Sequence, residues 1–111
     1  MAQGIIIDNG LEDRSLLENI KIVKTWQDGE RTLHAVEAGQ QQIPDLARSL
    51  DEGPWYMYFW EPDGDDVIVV FRERTFRGRH SDPHSLNAAR EYGMSLEIPE
   101  EQLDFKTGWP E

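Results

Sequence analysis

The 111-residue sequence contains no cysteine, which excludes a disulfide scaffold, thiolate catalysis and any Cys-ligated zinc or iron–sulfur centre. It also lacks a long hydrophobic run. The longest is six residues, Trp55 to Trp60, far short of the roughly 20 that a membrane-spanning helix needs. Met1-Ala2-Gln3-Gly4 has no basic residue, and Ile5-Ile6-Ile7 is too short for the core of a secretion signal. A cytoplasmic location without a membrane partner is therefore expected. Positive charge is scarce: 11 Lys and Arg stand against 22 Asp and Glu, a net charge of −11 that argues against a nucleic-acid backbone as partner. None of the nine glycines falls in a Gly-x-Gly-x-x-Gly or P-loop pattern, and the sequence implies no cofactor.

What is present fits one domain over residues 1–111. Asp28-Gly29 is a favoured pair for a two-residue type I′ turn. A turn there pairs Trp26 with Arg31, Lys24 with Leu33, Ile22 with Ala35 and Ile20 with Glu37. Ile20, Ile22, Trp26, Leu33 and Ala35 then share one face, while Val23, His34 and Val36 lie on the other with Lys21, Thr25 and Thr32. The second hairpin joins Trp55–Trp60 to Val67–Phe71 through Glu61–Asp66, with Pro62 presetting a turn and Gly64 free to adopt positive φ. Both faces of these strands are apolar, which predicts a central position in a sheet covered on both sides. Thr75 to His80 is a third strand, after a turn at Glu73-Arg74.

Helix signals follow the hairpins. Pro44 fits the first turn of a helix reaching Asp51, with Leu46, Ala47 and Leu50 inward. Ser81 or Asp82 caps a second, with Pro83 in its first turn, Leu86 and Ala89 buried and Gly93 just past its end. Ile98-Pro99-Glu100-Glu101 suggests a last short turn carrying Leu103 and Phe105. Ile5 to Ile7 reads as a strand, and Asp13 to Glu18 as a helical turn. The expected class is α+β: an antiparallel sheet of two hairpins (hairpin–helix twice), with two short helices on one face.

Gly53-Pro54-Trp55-Tyr56-Met57-Tyr58-Phe59-Trp60, Asp66-Val67-Ile68-Val69-Val70-Phe71 and Arg79-His80-Ser81-Asp82 resemble one small family of uncharacterised prokaryotic proteins of about this length. Glu91 to Phe105 resembles it too, so the similarity spans most of the chain. The resemblance implies a stand-alone prokaryotic domain and carries over no activity and no catalytic residue.

Several constellations could carry chemistry. Residues 72–80 hold four Arg against one Glu, the basic island of an acidic chain. Arg77 and Arg79 alternate on a strand and so point to one face. With Arg72 and His80 they form a candidate anion-binding set, since the planar guanidinium fork suits carboxylate or phosphate. Pairing with surface Asp and Glu, or guarding a sheet edge, explains the same arginines. His80-Ser81-Asp82-Pro83-His84 could be read as a metal site or a Ser–His–Asp set. Pro83 spoils the helical His spacing, triad members rarely adjoin in sequence, and a helix-capping loop is the simpler reading, so no metal is expected. Glu61, Asp63, Asp65 and Asp66 read as a solvated hairpin tip and depart from the EF-hand order. Glu97, Glu100, Glu101 and Asp104 read as a surface group. His34 is a conceivable general base, with neither acid nor nucleophile near it in sequence.

The aromatic strand is the largest anomaly. Two helices on one sheet face leave the other open, and Tyr56, Tyr58 and Trp60 are the candidate interface floor. Intrachain cover, a second subunit or a ligand would each satisfy it. The sequence thus points to a non-enzymatic protein-interaction or binding domain, most simply self-associating, with Arg77 and Arg79 at the rim. The alternative is a protein or enzyme that takes a small anion at Arg72, Arg77 and Arg79 with His80 or His84 as acid or base. No catalytic residue is assigned. The two readings differ in whether the arginines are neutralised by carboxylates or left unpaired in a cleft.

Overall fold

In the structure, a computed structural model, residues 2–10, 14–50, 55–100 and 103 are described. Among these residues, six strands form one sheet in the order β2-β3-β1-β4-β5-β6, every neighbouring pair antiparallel. They are β1 (Ala2–Ile7), β2 (Lys21–Asp28), β3 (Arg31–Ala38), β4 (Met57–Trp60), β5 (Asp66–Val70) and β6 (Thr75–Arg79). The described residues also form two α-helices, α1 (Ile43–Arg48) and α2 (Asn87–Ser95), which makes the architecture α+β. Among the described residues, no helix is long and apolar enough to cross a membrane.

The expected Ile5–Ile7 strand is β1, and it sits between the two hairpins and joins them. Its residues pair with β3 on one side (Ile6 with His34) and with β4 on the other (Gly4 with Phe59). Because β3 and β4 are both antiparallel to β1, the chain between them must cross over it. α1 lies in that crossover and buries Ile43 and Leu46 against Ile6, Met57, Phe59, Ile68 and Val70.

The opposite face holds Ile5, Ile7, Leu33, Ala35, Tyr56, Trp60, Val67 and Val69. It is covered by Leu86, by Ala89 of α2, and by Ile98 and Leu103. The helices therefore lie on opposite faces, a correction to their expected place on one. The physical reason is the two-sided apolar strands themselves: each face of β1, β4 and β5 needs a layer to exclude water, and each helix supplies one.

The first hairpin also differs from expectation. Its observed register pairs Asp28 with Arg31, Trp26 with Leu33 and Lys24 with Ala35. The central turn residues are thus Gly29-Glu30. Gly29 has φ 65° and Glu30 does not have positive φ, which is the Gly-X pattern of a type II′ turn. This two-residue shift preserves face parity, so Trp26, Leu33 and Ala35 still pack together. A bulge at Val23 then breaks the ladder, and Ile22 pairs with Val36. The extra residue moves Ile20 and Ile22 to the α1 face, where Ile20 packs with Leu17 against that core.

Smaller corrections concern turns and caps. The β4–β5 turn closes with the Gly64 N–H on the Glu61 carbonyl (3.1 Å), without positive φ at Gly64. A 3₁₀ turn, Pro83–Leu86, precedes α2, and Asp82 makes no side-chain cap. Gly93 lies inside α2 rather than past its end, because a Cβ there would stand 2.7 Å from Leu103 Cδ2. Leu46, Leu50, Leu86, Ala89 and Leu103 are buried as the sequence suggests. Asp13, Asp51 and Phe105 lie outside the described residues.

Candidate functional site

The expected interface floor is part of the core. Tyr56 and Trp60 are buried and Tyr58 is half-buried beneath the α2 layer, with Tyr56 stacked on Tyr58 (centroids 6.3 Å apart) and Tyr58 tilted against Trp60 (5.6 Å). Trp60 Nε1 donates to Gln3 Oε1 at 3.0 Å, which satisfies its polar end internally. Intrachain cover therefore replaces the open face, and this floor is not available to a partner as it stands.

The open surface is instead an edge. At β6, the pairs Phe71–Arg74 and Asp65–His80 are hydrogen-bonded, so the alternating residues Thr75, Arg77 and Arg79 present their backbone groups outward. The Arg79 N–H is taken by Ser85 Oγ (2.8 Å) and its carbonyl by the Asp82 N–H (3.2 Å). That leaves Thr75 and Arg77, a blunted edge. At the other end of the sheet, β2 runs for eight residues with Thr25 and Gln27 directed outward by the same alternation. All its described side chains are exposed except half-buried Trp26. Ile22 is 40% and Val23 44% exposed, large apolar side chains on an edge that is unpaired among the described residues. Lys21 and Lys24 stand near its start and Glu30 in the turn at its end.

The basic island separates in space. Thr75, Arg77 and Arg79 lie on the α1 face, while Arg74 stacks on the other face over Phe76 (4.8 Å) and Tyr92 (5.5 Å). Arg72 donates to the Leu50 carbonyl at 2.7 Å, just past α1. His80 lines a separate hollow of about 320 Å³ with Gln3, Trp60, Glu61 and Asp65. Arg77 and Arg79 are both exposed, and among the described residues no carboxylate oxygen lies within 4 Å of either guanidinium. Arg77 borders a groove of about 430 Å³ walled by Ile43, Pro44, Ile68 and Thr75. Of the four expected anion ligands, two are thus adjacent and open, one is tied to α1 and one faces elsewhere.

Ser81, not a histidine, is the active member of the His80–His84 segment. Its backbone N–H donates to Asp65 Oδ1 at 2.8 Å and its hydroxyl to Asp65 Oδ2. The hydroxyl first and the N–H second hold the Asp65 carboxyl below the usual carboxylate range, with Arg79 and His80 adding to this against a small cost of burial. Asp65 is thereby a brace for the β6–α2 loop. Among the described residues, no group of three or more His, Asp or Glu is arranged to hold a metal.

The cluster that sequence reasoning missed surrounds His34. The β1–β3 register puts Ile6 beside His34, so Asp8, two residues on, falls on the same face. Thr25 pairs with His34 across the hairpin. Thr25 Oγ1 is 2.8 Å from His34 Nδ1, and Asp8 Oδ2 is 3.9 Å from Nε2. His34 is only 8% exposed, and its Nε2 has no hydrogen-bond partner among the described residues, whereas Thr25 is exposed. The expected face parity put Thr25 and His34 on one face but set His34 opposite Val23, and the observed register pairs it with Thr25 instead. Asp8 was not expected there, because nothing local in the sequence places β1 beside β3.

Comparisons of the chain with family models, with curated proteins and with solved structures find no match.

Proposed function

We propose that this chain is a protein-interaction module whose partner is a second copy of itself, joined through the β2 edges in the cytoplasm of a prokaryotic cell. The observation that carries this reading is the eight-residue edge, open among the described residues, with Ile22 and Val23 exposed along it. An edge strand of that length is a template for another strand, and two-fold pairing is the commonest way for a chain to use it. Charge favours the same arrangement. In an antiparallel pair, Lys21 and Lys24 at the start of one β2 run beside the turn that carries Glu30 in the other copy. Sedimentation velocity tests it. The wild-type chain is expected as a dimer and Val23→Lys, altered at an exposed position, as a folded monomer. A monomeric wild-type chain, or an unchanged dimer in the variant, contradicts the reading.

A second reading is supported by Arg77 and Arg79, which have no carboxylate within 4 Å among the described residues: the β6 end takes a small anion. Phosphate or sulfate then raises the melting temperature of the wild-type chain, and Arg77→Ala with Arg79→Ala abolishes the rise. Stabilisation that persists in the double variant removes this reading.

A further inference from the structure

The His34 cluster carries an inference that does not require self-association, although its Thr25 lies on the β2 edge strand. Neutral imidazole has one N–H, and its position follows from what each nitrogen faces. Asp8 Oδ2 stands 3.9 Å from Nε2 in a buried setting, so a lone pair there would confront a carboxylate, whereas an N–H is attracted to it. Nε2 therefore carries the proton and Nδ1 is the acceptor. In that neutral form Thr25 Oγ1 is the donor, at 2.8 Å. The result is a hydroxyl whose proton is already directed onto a base, on an exposed residue, with the base buried and a carboxylate behind it.

We infer that Thr25 is a nucleophile for acyl transfer, with His34 as its general base and Asp8 as the positioning residue, and that it takes the carbonyl of an activated ester. Thr25 Oγ1 bonds to the acyl carbon, and the bond from that carbon to the leaving oxygen breaks. The hydroxyl proton passes to His34 Nδ1 and then to the departing alkoxide or phenoxide. Asp8 stabilises the imidazolium through Nε2–H while the proton is held. Water attacking the Thr25 ester, with His34 again as base, releases the acid and restores the hydroxyl. The three residues are 17 and 9 positions apart in the chain, yet β1, β2 and β3 bring them to one face.

The test is to treat the intact protein with p-nitrophenyl acetate and locate the acetyl group by peptide mass spectrometry. Acetylation of Thr25 is expected. Thr25→Val, a change at an exposed position, abolishes that label, and His34→Gln slows its formation by about 100-fold or more, the scale of a lost general base. Asp8→Glu retains the labelling rate and Asp8→Asn loses it, a contrast that mere loss of packing would not produce. Urea midpoints of the variants separate lost reactivity from lost fold. A wild-type chain acetylated only at lysines or at its amino terminus overturns the proposal, whatever the variants do. So does Thr25 labelling that proceeds undiminished in folded His34→Gln.

Discussion

Single side chains in this protein work mostly by reaching across the chain to backbone groups that would otherwise be exposed. Asn9 is one example: its amide nitrogen donates to the Glu30 carbonyl (3.1 Å) and its amide oxygen accepts from the Thr32 N–H (2.7 Å), clamping the β2–β3 turn to the end of β1. Asp65 is another, held by two bonds from Ser81. Its depressed pKa has a consequence for acid stability. A carboxyl that ionises more readily folded than unfolded contributes stability above its unfolded pKa, and that contribution is lost as pH falls through the folded value. Ser81→Ala removes the larger cause. The variant is therefore expected to be less stable than wild type at neutral pH, and the difference should narrow between about pH 5 and pH 2. Urea midpoints across that range measure it. A difference that is constant or widens toward acid would contradict the assigned role of Ser81.

At the scale of elements, β1 decides the sheet. It has β3 on one side and β4 on the other, and Gly4 lets that junction close: a Cβ at position 4 would stand 2.7 Å from both Phe59 Cε1 and the Tyr58 carbonyl oxygen. Phe59 is fully buried and the carbonyl belongs to a neighbouring strand, so neither can yield freely. Gly4→Ala is accordingly expected to destabilise the protein by about 1–3 kcal/mol through overpacking. A denaturant midpoint equal to wild type would show that the junction is looser than described.

The elements also mark how far the sequence could be read. Strand existence was legible in the alternating and two-sided apolar runs of β4 and β5, and the Leu86–Ala89 stripe of the last helix was legible in its spacing. The bulge was not. Ile20-Lys21-Ile22-Val23 alternates well enough to suggest a regular strand, and only the packing of Leu17 and Ile20 under α1 rewards the extra residue. The helix faces were illegible for a related reason: which side α1 takes depends on the crossover over β1, a long-range pairing that no local signal records. The same gap hid Asp8 from His34 and put the aromatic floor on an open face rather than beneath α2.

For the whole molecule, the account rests on an asymmetry between the two ends of one sheet. Among the described residues both faces are covered and the β6 edge is closed at Arg79 by Ser85 and Asp82, while the longer β2 pairs with β3 alone. Burying backbone donors by pairing them, together with the exposed Ile22 and Val23, is the most direct way for the chain to complete itself. The measurement that tests this most directly is amide hydrogen exchange at Thr25 and Gln27, whose N–H groups point away from β3, at high and low protein concentration. Self-association through β2 predicts protection of both amides in concentrated solution and its loss on dilution, with the β3 and β5 amides unchanged. Fast exchange of Thr25 and Gln27 at every concentration would contradict the β2 interface.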